Sequence, residues 1–175
     1  MKLRKEIEPD FETAEKNYPE VLKLILAYTD FIDENGDEDS IEYKKLENTL
    51  HEMTGKDMSQ FNLWEWWEEE GAEVLAFRIA LPDAQKVSNI TKDELAEIVH
   101  RLQTFEYPEK DFDELSFQEQ FSPYLDIRYY HPFLELNFKT YDYSKIFGQQ
   151  KDKDKRQFWW SQEEIVEKLW NNGNY

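Results

Sequence analysis

Val21, Leu24, Ile25, Tyr28 and Ile32 recur at i, i+3, i+4, i+7 and i+11, which puts five apolar side chains on one face of a helix. A helix with such a stripe must bury it against something. Pro19 is suited to a first helical turn, where its missing N–H costs nothing, so the reading starts the helix there. The acidic run 33–39, which contains Asn35-Gly36, ends it, and Ser40 is placed to cap a second helix with Tyr43, Leu46, Leu50 and Met53 inward. Gly55 supplies the left-handed residue that often closes a helix.

Two further helices announce themselves by capping boxes. Thr91 with Glu94 precedes Leu95, Ile98, Val99 and Leu102, and Ser161 with Glu164 precedes Ile165, Val166, Leu169 and Trp170. Between these landmarks, segment 73–81 is almost continuously apolar and reads as a strand covered on both faces. Alternation predicts two more strands, one with Leu125, Ile127 and Tyr129 inward and one with Leu134, Leu136 and Phe138 inward. Segment 106–123 reads as loop with a short helix after Ser116, and 151–156, the only locally basic stretch, as a solvated linker. The expected architecture is a single α+β domain over 1–175, with several helices packed on a small, largely antiparallel sheet.

The chemistry is narrowed by what is missing. There is no cysteine, so disulfides, thiol nucleophiles and thiolate metal sites are excluded together, which fits a reducing compartment. The N-terminus turns acidic where a secretory signal needs an apolar stretch, and segment 21–32 falls short of a membrane span, so the expectation is a cytoplasmic protein. His51-Glu52 opens like a zinc-protease helix, but Gly55 stands where the second histidine belongs. Five scattered glycines form neither a phosphate-cradling loop nor a dinucleotide turn, and no cofactor is implied. Asp33, Asn35, Asp37 and Asp39 resemble the start of a calcium loop, yet Glu38 and Lys44 occupy positions that need glycine and glutamate. A solvated acidic turn is the plainer reading.

Acidity carries information of its own. With 39 acidic and 21 basic side chains, the net charge of −18 disfavours nucleic acid and anionic membranes and favours a basic protein partner. Within 59–71, read as a short aromatic helix ended by Gly71, stand Trp64, Glu65, Trp66, Trp67, Glu68, Glu69 and Glu70. On a helix Trp64 and Trp67 would share a face while Trp66 points away, so one core cannot easily bury all three. A tryptophan ringed by carboxylates suits a basic partner through apolar burial, charge pairing and cation–π contact. Core packing is the competing role for each ring. Phe158-Trp159-Trp160 poses the same alternative beside a more basic stretch.

In overall character, through its acidic cysteine-free chain and the segments around Trp64, Trp66 and Trp67 and around Trp159 and Trp160, the sequence resembles bacterial immunity proteins of polymorphic toxin and contact-dependent growth-inhibition systems. That resemblance implies an inhibitor, not an enzyme, that binds and occludes one cognate toxin domain, commonly a basic nuclease. The alternatives are a DNA mimic directed at a DNA-binding protein, and a small hydrolase using His131 with a carboxylate pair.

Overall fold

The structure, a computed structural model, describes residues 2–66, 71–104, 110 and 114–175. Its backbone contacts divide the chain into two compact units, Asp10–Pro82 and a second formed by Met1–Pro9 with Asp83–Tyr175. Helix dominates both.

In the first unit, α1 (Phe11–Asn35) begins eight residues before Pro19, because Asp10 caps it by accepting from the N–H of Thr13 at 3.0 Å. Pro19 therefore lies inside the helix, where the carbonyl of Glu15 receives no N–H from it. The expected stripe is where the spacing puts it, with Val21, Ile25 and Tyr28 buried and Leu24 and Ile32 packed against the same cluster. Helix α2 (Ile41–Thr54) ends at Gly55 in the left-handed conformation, as read from the sequence. Its cap is not Ser40, which has φ of 53° and makes no capping bond. Asp37 does that work instead, its Oδ1 accepting from the N–H of Ile41 (3.0 Å) and Glu42 (3.3 Å) and its Oδ2 from that of Tyr43 (2.9 Å). A carboxylate is the stronger acceptor for several helix N–H groups at once.

Segment 73–81, expected as a strand, is instead helix α3 (Ala72–Ala80). Its neighbours α1 and α2 cover it, and Val74, Leu75, Ala76, Phe77, Ile79 and Ala80 are all buried. A continuous apolar run requires only burial on every side, which a covered helix satisfies as well as a covered strand. The aromatic segment is corrected too. A short 3₁₀ turn (Met58–Gln60), capped by Asp57, gives way to extended Phe61, so no helix runs continuously from residue 59.

The second unit contains α4 (Lys92–Gln103), closed by the expected Thr91–Glu94 capping box, and α5 (Phe117–Phe121), closed by Ser116 and Glu119. Both strands expected around Pro132 are helical. A π-helical turn (Asp126–Tyr130) runs into α6 (His131–Asn137), with Pro132 in its first turn. Alternation required Ile127 and Leu136 inside, but they are 62% and 46% exposed, while Phe133, which alternation would expose, is fully buried. The spacing actually obeyed is Leu125 to Tyr129 and Tyr130 to Phe133 and Leu134, which is helical. Helix α7 (Tyr143–Ile146) precedes the only strands among the described residues, β1 (Gln150–Lys151) and β2 (Gln157–Phe158). They pair antiparallel, Gln150 opposite Phe158, so the expected linker at 151–156 is a hairpin turn. Asp152 Oδ1 organises it by accepting from the N–H groups of Asp154 and Arg156, each at 2.8 Å. Helix α8 (Gln162–Trp170) starts at the predicted Ser161–Glu164 box and packs on α4.

Ion pairs tie the N-terminal segment into this unit. Arg101 donates to Glu8 (2.7 Å), to Glu97 (3.0 Å) and to the Tyr130 hydroxyl (2.8 Å). Arg4 donates to buried Glu94 at 2.5 Å, and Thr91 donates to the same carboxylate. Burial alone would raise the pKa of Glu94, but the bonds from Arg4 and Thr91 outweigh it and hold the carboxyl below its ordinary value. A depressed native pKa gives stability that is present above the unfolded value of about 4.3 and lost as pH falls through the folded one. Glu94→Gln is accordingly expected to cost about 1–2 kcal/mol at pH 7 and distinctly less at pH 3, measured by urea unfolding at both pH values.

Candidate functional site

The two tryptophans of the acidic segment that are described have different environments. Trp66 is half-buried against the core of its unit, and its Nε1 donates to Thr29 Oγ1 at 3.0 Å. Thr29 is itself anchored to the Ile25 carbonyl, so Trp66 pins the segment to α1. The ring therefore has a structural role within its own unit. Trp64 is 44% exposed. Because Phe61 is extended and the chain is not helical through Leu63 and Trp64, neighbouring aromatics diverge, one into the core and one out. Trp67, Glu68, Glu69 and Glu70 lie outside the described residues.

Trp64 forms part of the wall of a groove of about 670 Å³ lined also by Tyr28, Asp37, Tyr43, Phe61 and Asn62. Every one of these residues belongs to Asp10–Pro82. Tyr28 and Tyr43 reach it from facing positions on α1 and α2, their rings edge-on at 5.7 Å. The Tyr28 hydroxyl donates to Asp37 Oδ2 at 3.2 Å. Burial, followed by the charge of Asp37, pushes the Tyr28 phenol up to about 12. Asp37 is held below the ordinary carboxylate range: partial burial opposes this, but the N–H groups of Tyr43, Glu42 and Ile41 and the Tyr28 hydroxyl outweigh it. The site thus keeps a fixed negative charge and a neutral phenol throughout the physiological range. A spectrophotometric titration should show two tyrosines, Tyr28 and Tyr141, ionising near pH 12, and Asp37→Asn should lower that of Tyr28 alone, and only in part because burial is the larger cause.

Glu65 stands at the edge of the groove, bonded reciprocally to lining residue Asn62: its N–H donates to Asn62 Oδ1 at 3.2 Å and its Oε2 accepts from Asn62 Nδ2 at 3.4 Å. On the opposite account, Phe61 already receives cations, with Arg78 Cζ 5.2 Å and Lys56 Nζ 5.8 Å from its ring centre. The charge around the groove is nonetheless strongly one-sided. Residues 10–82 contain 19 acidic and 6 basic side chains, so this unit holds 13 of the chain's 18 excess negative charges.

No family model, curated protein or solved structure matches the chain. The groove offers aromatic faces and a permanent carboxylate, a combination that attracts guanidinium and ammonium groups. Tyr28, Tyr43 and Phe61 were not singled out as site residues from sequence. The available signal was tyrosine, rather than leucine, at the ends of two apolar stripes that meet an acidic turn.

The hydrolase alternative asked for His131 beside two converging carboxylates. His131 lines a separate pocket in the second unit with one carboxylate among the described lining residues, Asp126. Its Nδ1 lies 3.2 Å from the Tyr141 hydroxyl, and burial pushes its pKa down while Asp126 acts against that shift. Among the described residues no group of three histidine, aspartate or glutamate side chains is placed to hold a metal ion, and no helix is long and apolar enough to cross a membrane.

Proposed function

We propose that this protein is an inhibitor of the immunity type, which binds a basic toxin domain, for example a nuclease, and covers its working surface. The observation that carries the reading is a half-exposed tryptophan on the wall of an aromatic groove, in the unit with most of the negative charge. Trp64 is the anchor, Tyr43 and Phe61 extend its apolar surface, and Asp37 with Glu65 accept basic side chains from the partner. Carboxylates spread over the same unit speed encounter by attracting a basic surface, and aromatic burial then determines the lifetime of the complex.

The supporting experiment is capture of the partner from the source organism, followed by binding of the purified partner domain to wild-type protein and to a Trp64→Ala variant. Raising salt from 0.05 to about 0.5 M should slow association by more than tenfold while changing dissociation little. A complex whose association rate ignores salt and Trp64 would remove this reading.

A further inference from the structure

Trp159 is 63% exposed, although tryptophan is among the residues most buried on average. It borders the pocket of about 230 Å³ in the second unit, together with Trp160, Tyr143, Phe147, His131 and Asp126. That volume is below the usual range for drug-sized ligands, so it suits a small group rather than a peptide or a nucleotide.

The rings are mutually braced. His131 meets Phe147 edge-on at 4.7 Å and Tyr143 edge-on at 5.0 Å, and Tyr143 stacks with Phe147 at 6.2 Å. Trp160 is fixed by its Nε1 bond to the Lys145 carbonyl (3.0 Å) and by an edge contact with Phe158. The lining of the pocket is thus largely aromatic and held in place by its own contacts. The one carboxylate among the described lining residues, Asp126, accepts from the Ile127 N–H through Oδ1. Lys145, the nearby cation on α7, is already paired with Asp142 at 2.6 Å.

Anions are disfavoured here by the ring faces and by Asp126. Cations are favoured, and the chain itself gives an example: Lys168 Nζ lies 3.8 Å from the centre of the Trp160 ring. A compact, strongly hydrated ammonium would lose much solvation on entering among five rings, whereas an alkylated one loses little. We propose that this pocket binds a small alkylammonium compound, with the rings of Trp159 and Tyr143 receiving the alkylated head and Asp126 balancing its charge. The proposal is independent of the role assigned to the Trp64 groove.

The test is a titration of the full chain, labelled at its six tryptophan indoles, with choline chloride at constant ionic strength, followed by NMR. The expected result is a saturable shift of the Trp159 and Trp160 indole signals with those of Trp64 and Trp66 unmoved. Trp159→Ala and Asp126→Asn should each weaken binding about tenfold. The neutral isostere 3,3-dimethylbutan-1-ol should bind more weakly than choline by a similar factor. Equal binding of the neutral compound, unchanged affinity in both variants, or shifts no larger than sodium chloride produces would each overturn the proposal.

Discussion

Replacing Trp64 by alanine is expected to weaken the partner complex at least thirtyfold while changing the folding stability by less than about 1 kcal/mol. The first figure follows from the cost of removing an aromatic hot spot, about 2 kcal/mol or more. The second follows from position: the ring lies 44% exposed on the groove wall. Trp66→Ala should behave in the opposite way. That ring packs against the core of its unit and donates to Thr29, so its loss should cost about 2–3 kcal/mol of stability. Binding by the folded fraction of the Trp66 variant should fall only to the extent that segment 61–66 loosens. Isothermal calorimetry and urea unfolding on the two variants separate these effects. A Trp64 variant that binds normally, or a Trp66 variant of normal stability, would reverse the assignment.

The largest effect on stability is expected at Phe77. Its side chain is fully buried on α3, and its ring stacks on Phe11 of α1 at 6.0 Å. Phe77→Ala removes most of that contact from a helix with almost no exposed side chain to compensate, and should cost about 4 kcal/mol. Marginal stability makes such a loss large enough to unfold Asp10–Pro82 under mild heating. Because the described lining residues of the groove all belong to this unit, partner binding should disappear with the same midpoint as its unfolding. Circular dichroism and binding followed over one temperature series would show this. Loss of binding well below the unfolding midpoint would place the site elsewhere.

Where the sequence was legible, the reason was usually a cap or a two-turn stripe. Thr91 with Glu94, Ser161 with Glu164 and Gly55 mark helix ends through local hydrogen bonds or a left-handed backbone, which do not depend on distant residues. The strands failed for a tertiary reason. The apolar run at 73–81 reports only that all sides are covered, and the mixed pattern at 125–138 satisfies both a period of two and helical spacing until burial is known. Ser40 was a reasonable cap by residue type, but Asp37 reaches the same N–H groups with a full charge.

The site was legible only in part. A tryptophan among carboxylates could be picked out locally, and Trp64 is the one of the two described tryptophans there that is exposed. Separating it from Trp66 required knowing that the chain is not helical between Phe61 and Glu65 and that Thr29 offers a hydroxyl to the indole. The groove itself joins residues near positions 28, 37, 43 and 61, and no periodicity links them. The exposed Trp159, by contrast, gained a definite setting only once 126–137 proved helical and brought Asp126 and His131 to one pocket.

The proposed interaction is that of a basic partner with the Trp64 groove of Asp10–Pro82. It is tested most directly by parallel capture from the source organism on wild-type and Trp64→Ala baits, washed at low and then high salt and read by quantitative mass spectrometry. The expected result is one basic domain retained by the wild type through high salt and lost from the variant, because buried aromatic contact outlasts screening of surface charge. Many basic proteins released together by salt, equally from both baits, would contradict it and leave only an acidic surface without a specific partner.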